Sequence, residues 1–225
     1  MTEVNRRALI GLIRLFVSLL VLVFLPAWTL HYWQGWMCLT VFFASALGIS
    51  VYLARNNPAL LARRIKAGAK AETEKTQKVI QSFAAIAFVA LFVLSALDHR
   101  FGWSRVPLAA EIAGDLLLAL GFVFVFWVFK VNSFTSGVIE VAPGQQVITS
   151  GPYAIVRHPM YLGSLGMLVG VPLSLGSFWG LLTIIFMAAV IILRLLDEER
   201  FLVMNLTGYG AYLRRVRYRL VPFVW

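Results

Sequence analysis

The sequence predicts an all-α fold, a multi-pass transmembrane helical bundle, from three observations. Hydrophobic residues make up 60% of the 225 residues and the mean hydropathy is +0.84, whereas soluble domains are about 45–50% apolar. The apolar residues lie in blocks of about 20, the length at which a helix crosses a bilayer. The blocks lack the alternation of a transmembrane β-strand, and in lipid a helix satisfies its own backbone hydrogen bonds.

Six apolar blocks are predicted to give five to six spans. They cover residues 8–30, 36–54, 79–97, 107–131, 159–174 and 177–196. The first block follows Arg6 and Arg7, but it runs past Pro26 without a small-residue cleavage pattern. We therefore expect an uncleaved anchor rather than a signal peptide. The fifth block is short and interrupted by glycine and proline, so we expect it either to span the membrane or to form a helical hairpin with the sixth block.

The basic residues are distributed asymmetrically. Three lie near the N-terminus, seven in loop 55–78 and eight from Lys130 onward, and Arg100 and Arg105 are the other two of the 20. The positive-inside rule then places both termini in the cytoplasm. The net charge of +10 indicates contact with anionic lipid headgroups rather than with nucleic acid. The compact length and short loops favour a bacterial inner membrane, with the endoplasmic reticulum as the alternative.

The chain divides into two parts. We expect residues 1–106 to form N-terminal transmembrane helices with the basic cytoplasmic loop 55–78, and residues 107–225 to carry the chemistry. Leu60, Leu61 and Ile65 form an apolar stripe in the loop, typical of a short interfacial helix. The single cysteine, Cys38, lies inside an apolar block, so an internal disulfide and a CxxC metal site are excluded, and no metal is expected.

Two polar stretches interrupt the apolar pattern of the C-terminal part. The first runs from Lys130 to Tyr161 and ends in Arg157-His158-Pro159, where the next span begins. Pro159 suits the first turn of that helix, and a helix N-terminus favours anions. His158 is either a hydrogen-bonded structural residue or a site contact.

The second stretch, ILRLLDEERF, closes the last span. It is either a solvated helix end with an Arg194–Glu198 pair or a functional site, since ionisable groups next to membrane helices mark function. The tail then places Tyr209 and Tyr212 on one helical face, followed by four arginines, including Arg215, that suit lipid phosphates. Glu111 and Asp115 lie in the first turns of the fourth span, where acidic residues favour the helix start; the alternative is a polar path.

These two stretches together resemble the paired signature of the isoprenylcysteine carboxyl methyltransferase and phospholipid methyltransferase superfamily. The resemblance covers roughly residues 130–222 and is strongest over 151–163 and 197–222. Residues 1–106 match only in being hydrophobic. The matching positions are Gly151-Pro152-Tyr153, Arg157-His158-Pro159 with Tyr161, Glu198-Glu199, Gly208 with Tyr209 and Tyr212, and Pro222. One departure is Gly210, which stands where a larger residue is usual between the two tyrosines.

The resemblance implies an S-adenosylmethionine-dependent methyltransferase with its cofactor pocket at the cytoplasmic C-terminal end. Carboxylates suit the cofactor's ammonium, cations and helix N-terminal amides suit its carboxylate, and aromatic faces suit its adenine or sulfonium. Arg194 or Arg215 would steer the carboxylate of a lipidic or prenylated acceptor that enters from the bilayer. The residues expected to bind the cofactor are Tyr153, Arg157, His158, Pro159, Tyr161, Glu198, Glu199 and Tyr212.

Three alternatives stay open. A phospholipid N-methyltransferase would use a base, His158 or a glutamate, to deprotonate its amine acceptor. Membrane sterol reductases, which use NADPH, have a similar Arg-His-Pro-x-Tyr and closing Tyr and Pro. The three adjacent acids from Asp197 to Glu199 would repel that phosphorylated dinucleotide. A non-enzymatic membrane assembly factor is the third alternative.

Overall fold

The computed structural model describes residues 2–225, which form eight α-helices and no β-sheet within that range. Five helical segments are long and apolar enough to cross a membrane, so the predicted all-α, multi-pass bundle is confirmed. The helices are α1 (Glu3–Ala27), α2 (Trp33–Asn56), α3 (Pro58–Ile65), α4 (Lys75–Phe101), α5 (Leu108–Val131), α6 (Pro159–Ser174), α7 (Leu182–Asn205) and α8 (Tyr209–Arg215).

Local sequence sets where several helices begin and end. Thr2 caps α1 by accepting a hydrogen bond from the backbone N–H of Asn5. Asn57 separates α2 from α3, because its side chain caps Leu60 N–H and Pro58 begins the next helix, where a missing N–H has no cost. Gly102 ends α4 with a φ of 64°, a left-handed conformation that glycine adopts without strain.

The short helix α6 packs closely against α5. Glycines on both helices allow the backbones to approach: a Cβ atom at Gly170 would lie 2.8 Å from Gly114 O, and one at Gly163 would lie 2.8 Å from Val125 Cγ2. Small residues give such close packing between membrane helices, where dispersion contacts rather than water drive association. The glycines that interrupt the fifth apolar block therefore serve helix contact.

The C-terminal end of α6 reaches the same level as the ends of its neighbours. The hydroxyl of Tyr32, just before α2, donates to Leu175 O at 2.6 Å. Asp98, near the end of α4, accepts from the hydroxyls of Ser177 and Ser104 at 2.6 Å. With 16 residues, α6 is about 24 Å long. It thus traverses the helical layer and turns back into α7.

The other end of the bundle, which carries α3 and α8, holds the polar segments. Residues 132–150, here called the strap, cross this end between α5 and α6. Arg63 and Arg64 of α3 donate to the carbonyls of Ser133 and Ser136 in the strap. Helices from both parts of the chain pack together, α4 against α7 and α2 against α5. Through the contacts of Arg63 and Arg64, α3 holds the strap from one side.

Candidate functional site

A cleft opens at the α8 end of the bundle, beneath the strap. Its empty space is about 840 Å³, including a part that is open to solvent. The strap supplies one wall, and the start of α6, the end of α7 and α8 supply the others. The polar and aromatic residues that line it are Asn132, Phe134, Thr135, Ser136, Glu140, Gln145, Gln146, Tyr153, Arg157, His158, Tyr161, Arg194, Glu198, Tyr209 and Tyr212.

The two motifs that the sequence singles out are in direct contact. The backbone N–H groups of Arg157 and His158 donate to the carbonyls of Tyr218 and Arg219, each at 2.9 Å. The Arg157 side chain extends this contact, since its Nε donates to Val216 O at 2.7 Å and Nη2 donates to Leu213 O at 2.9 Å. The residues after α8 are thereby fixed against the start of α6.

Glu199 lies behind the cleft wall, where two arginines and a histidine contact its carboxylate. Arg157 Nη1 and His158 Nε2 are 3.1 and 3.4 Å from its Oε1, and Arg219 Nε is 3.1 Å from its Oε2. The Glu199 side chain is only 8% exposed. Both carboxylate oxygens are thus engaged, and Glu199 does not line the cleft.

Glu198 faces the cleft instead. Successive residues of a helix point about 100° apart, so the neighbouring carboxylates of α7 serve different sides. Tyr161 donates its hydroxyl to Glu198 Oε2 at 2.8 Å. It is the one hydrogen-bond partner of this carboxylate among the described residues, and the Glu198 side chain is partly exposed. Glu198 is therefore an anion that remains available to a ligand.

Arg194 lines the cleft one turn before Glu198, and its guanidinium is already surrounded by acceptors. Its Nε donates to the Tyr161 hydroxyl at 3.0 Å, and Nη1 donates to Gln77 Oε1 at 2.7 Å. Its Nη2 forms an ion pair with Glu72 at 2.8 Å. Gln77 in turn donates to Asp197. A buried polar cluster thus joins the start of α4 to the end of α7.

Tyr153, Tyr209 and Tyr212 line the cleft together with Tyr161 and Phe134. Burial raises the pKa of Tyr153 to about 12 and also raises the pKa values of Tyr209 and Tyr212, so all three hydroxyls stay protonated near neutral pH. Tyr212 donates its hydroxyl to Tyr153 O at 2.9 Å, which ties α8 to the first motif. The rings of Tyr209 and Tyr212 lie 5.6 Å apart.

The structure gathers most of the predicted site residues around the cleft and separates two from it. Glu199 lies behind the wall, and Arg215 is exposed and outside the lining. The predicted residues that line the cleft are Tyr153, Arg157, His158, Pro159, Tyr161, Arg194, Glu198 and Tyr212.

Sequence reasoning missed three contributions to the cleft. Asn132 donates to the Tyr153 hydroxyl at 2.9 Å, Tyr209 lines the cleft, and Glu72 reaches Arg194 from loop 66–74. The spacing of Tyr209 and Tyr212 already placed both rings on one face. No signal in the sequence pointed to Glu72, because its partner lies in a distant helix.

The charged side chains that line the cleft favour a ligand with a positive group. Among residues 2–225, Glu198 is the cleft carboxylate that has no ion-pair partner, whereas Arg157 and Arg194 are already paired with Glu199 and Glu72. Glu140 also lines the cleft, and Lys66 Nζ lies 2.6 Å from it, which holds the pKa of Glu140 below its usual range. No group of histidine, cysteine and acidic side chains able to hold a metal ion occurs from residue 2 to residue 225.

Part of the chain is similar in sequence to known membrane proteins. A curated relative, the Delta(14)-sterol reductase TM7SF2 of Mus musculus, is 32% identical over 90 residues, which cover 39% of this chain and 22% of the reductase. The match therefore spans about a fifth of the reductase. Residues 109–208, which include the strap, α6 and α7, match the model of the family described as phospholipid methyltransferase. Over these residues, which make up less than half of the chain, the sequence is similar to that family, which belongs to the isoprenylcysteine carboxyl methyltransferase-like superfamily of membrane methyltransferases.

Proposed function

We propose that this membrane protein transfers a methyl group from S-adenosylmethionine to a lipidic acceptor in the cleft at its α8 end. The observation that carries the proposal is Glu198, a partly exposed carboxylate in the cleft wall whose one partner in the described part of the chain is the Tyr161 hydroxyl. The cationic side chains beside it are already paired. Such a site favours a small molecule with a positive group.

The cleft residues fit the polar groups of S-adenosylmethionine. Glu198 would accept from its ammonium, because charge-assisted hydrogen bonds are strong in a partly dry site. The N-terminus of α6, at Pro159, suits its carboxylate, with Arg157 adding positive potential there. The rings of Tyr209 and Tyr212 suit the adenine or the sulfonium. Glu199 would act indirectly, by fixing Arg157 and His158.

The chemistry needs positioning more than proton transfer. S-adenosylmethionine supplies an electrophilic methyl carbon, whose bond to sulfur breaks, leaving the electron pair on sulfur, as the acceptor's oxygen bonds to carbon. A carboxylate acceptor is already ionised, so no residue has to remove a proton. The chain's part is to align the two reactants, which accounts for large rate gains, and to exclude water beneath the strap. We assign the steering of the acceptor to Arg194, which lines the cleft, rather than to the exposed Arg215.

The acceptor is proposed to be a lipid-attached carboxylate, as in isoprenylcysteine carboxyl methylation, that enters sideways from the bilayer. An N-methyltransferase acting on a phospholipid amine is a second candidate, which the match to the phospholipid methyltransferase family favours. That reaction requires removal of a proton from the amine. The candidate bases are His158, whose Nε2 lies 3.4 Å from Glu199 Oε1, and Glu198, which would serve only if another group held the cofactor's ammonium.

Ligand binding to detergent-purified protein tests the proposal. We expect isothermal titration to detect S-adenosylmethionine and its demethylated product, and we expect either compound to raise the thermal unfolding temperature. Absence of binding at millimolar concentrations would contradict the proposal. NADPH serves as the comparison, because the similarity to a sterol reductase makes that nucleotide the competing cofactor. Protection by NADPH in place of S-adenosylmethionine would favour a reductase.

A further inference from the structure

A carboxylate-binding site lies in the wall of the cleft, and one of the chain's own carboxylates fills it. Glu72 belongs to the irregular loop 66–74 between α3 and α4, and its side chain is 1% exposed. Its Oε1 lies 2.8 Å from Arg194 Nη2, and its Oε2 accepts from the backbone N–H of Ile139 in the strap at 3.2 Å. A guanidinium with a backbone N–H is a typical carboxylate-binding arrangement.

Arg194 has no donor to spare while Glu72 is in place. A guanidinium carries five N–H groups. Those of Arg194 are directed to Tyr161, Gln77, Gly137 O and Glu72. With the Gln81 amide assigned so that its oxygen faces Arg194, that oxygen accepts at 3.0 and 3.2 Å from Nη1 and Nη2. A new carboxylate therefore binds Arg194 only by replacing a partner, and Glu72 is the anionic one.

The site adjoins the position proposed for the methyl donor. The Tyr161 hydroxyl joins the two, at 3.0 Å from Arg194 Nε and 2.8 Å from Glu198 Oε2. A carboxylate bound to Arg194 in place of Glu72 would thus be separated from the Glu198 carboxylate by the Tyr161 side chain. Loop 66–74 contacts the strap through the Lys66–Glu140 ion pair, whose side chains are 50% and 30% exposed, through the Ala67–Gly137 bridge and through Glu72. The loop lies outside the membrane-length helices, so its displacement would leave the bundle in place.

We propose that Glu72 occupies, on Arg194, the place of the acceptor's carboxylate, and that the acceptor displaces Glu72 together with loop 66–74. This inference rests on the proposed methyl transfer and names its acceptor class. The acceptor's carboxylate then replaces the carboxylate of Glu72, so the positive charge of the buried guanidinium stays balanced by a negative charge. An amine acceptor would leave Arg194 without that compensation if it replaced Glu72, and a buried unpaired charge is strongly unfavourable. The acceptor is thus a lipid-attached carboxylate rather than a lipid amine.

The test compares Glu72→Gln with Glu74→Gln. Glu74 is an exposed glutamate at the end of the same loop. The probes are N-acetyl-S-farnesylcysteine, which carries a carboxylate, and phosphatidylethanolamine, both with saturating S-adenosylmethionine. We expect Glu72→Gln to lower the KM for the carboxylate probe roughly tenfold, because the protein no longer supplies a competing anion. Its affinity for S-adenosylmethionine and its kcat should stay near the wild-type values, and Glu74→Gln should change none of these quantities.

An unchanged or higher KM in Glu72→Gln would overturn the inference and make Glu72 a structural partner of Arg194. If that variant fails to fold, hydrogen exchange of the wild-type protein decides. Addition of the carboxylate probe should speed exchange of the amides in residues 66–74, and unchanged exchange would overturn the inference. Methylation of phosphatidylethanolamine alone would overturn it while leaving the proposed function intact, whereas failure to bind S-adenosylmethionine would overturn both.

Discussion

At the scale of single residues, two adjacent carboxylates of α7 have separate roles. Glu198 faces the cleft, whereas Glu199 is enclosed by Arg157, His158 and Arg219. We expect Glu198→Gln to weaken S-adenosylmethionine binding at least about tenfold, because a charge-assisted hydrogen bond is replaced by a neutral one. Isothermal titration measures this, with Glu74→Gln as a control on the surface. Unchanged affinity would exclude Glu198 from the cofactor site.

Glu199→Gln is expected to act on stability instead. Removing the charge leaves Arg157 and Arg219 without their shared anionic partner, and breaking a buried ion pair costs about 3–5 kcal/mol. The thermal unfolding temperature in detergent should fall well below that of Glu198→Gln, in which only a partly exposed carboxylate changes. Equal unfolding temperatures for the two variants would show that Glu199 does not hold the two motifs together.

The two glutamates show how much of the site the sequence predicts residue by residue. The paired motifs indicate which residues assemble, because spacing and residue type are local properties. Helical geometry alone already implies that Glu198 and Glu199 point in different directions, although not which one faces the cleft. The Glu72–Arg194 pair is not predictable in this way, since it depends on how loop 66–74 lies against α7.

At the scale of helices and segments, α8 is held to the first motif by the Tyr212 hydroxyl, which donates to Tyr153 O at 2.9 Å. Burial raises the pKa of Tyr212 above its usual range, so the folded protein keeps this proton where the unfolded chain loses it. The stabilisation is then complete below about pH 10, the ordinary tyrosine pKa, and is lost as pH rises through the raised value. We expect Tyr212→Phe to cost about 1 kcal/mol at pH 8.

Thermal unfolding between pH 8 and pH 11 measures this effect. The wild-type protein should lose stability over the alkaline part of that range, and Tyr212→Phe should lose less. Part of the decline should persist in the variant, because burial also raises the pKa values of Tyr153 and Tyr209. A variant that declines as steeply as the wild type would contradict the role assigned to the Tyr212 hydroxyl.

The contact between α5 and α6 permits a matched pair of substitutions. A Cβ atom at Gly170 would lie 2.8 Å from both Gly114 O and Leu118 N, whereas one at Gly166 would meet only Leu117 Cδ1, at 3.7 Å. We expect Gly170→Ala to destabilise the protein by about 1–3 kcal/mol, because backbone atoms have to move. Gly166→Ala should be neutral or slightly stabilising, since alanine favours the helix. Thermal unfolding in detergent compares them, and equal effects would contradict the packing argument.

The helices could be predicted from the sequence, whereas the path of the strap could not. Apolar blocks of membrane length predict spans directly, and the six blocks correspond to α1, α2, α4, α5, α6 and α7. The strap, residues 132–150, carries no regular secondary structure in the described chain, so no periodicity reveals its path. Its position depends on distant contacts, such as those of Arg63 and Arg64 with its carbonyls, and these arise only once α3 has packed.

At the scale of the whole molecule, the polar network and the cleft share one end of the bundle. Judged from their positions in the sequence, nearly all the basic residues belong to that end of the bundle. They include the N-terminal arginines, the basic residues of loop 55–78 and those of the tail after α7. The opposite end carries Arg100 and Arg105 near the end of α4. A soluble cofactor would thus enter from the basic side, and a lipidic acceptor would enter from the bilayer. The positive-inside rule predicts that this side is cytoplasmic.

Cysteine labelling tests this sidedness. Arg105 and Arg215 are both exposed and lie at opposite ends of the bundle, so Arg105→Cys and Arg215→Cys in a Cys38→Ser background form a matched pair. Cys38 itself is buried, so its replacement removes a background thiol without altering the surface. In intact cells a membrane-impermeant maleimide should label Arg105→Cys, whereas Arg215→Cys should react only after permeabilisation. The reverse pattern would place the cleft on the outer side, away from the cytoplasmic supply of S-adenosylmethionine, and would contradict the proposed reaction as well as the topology.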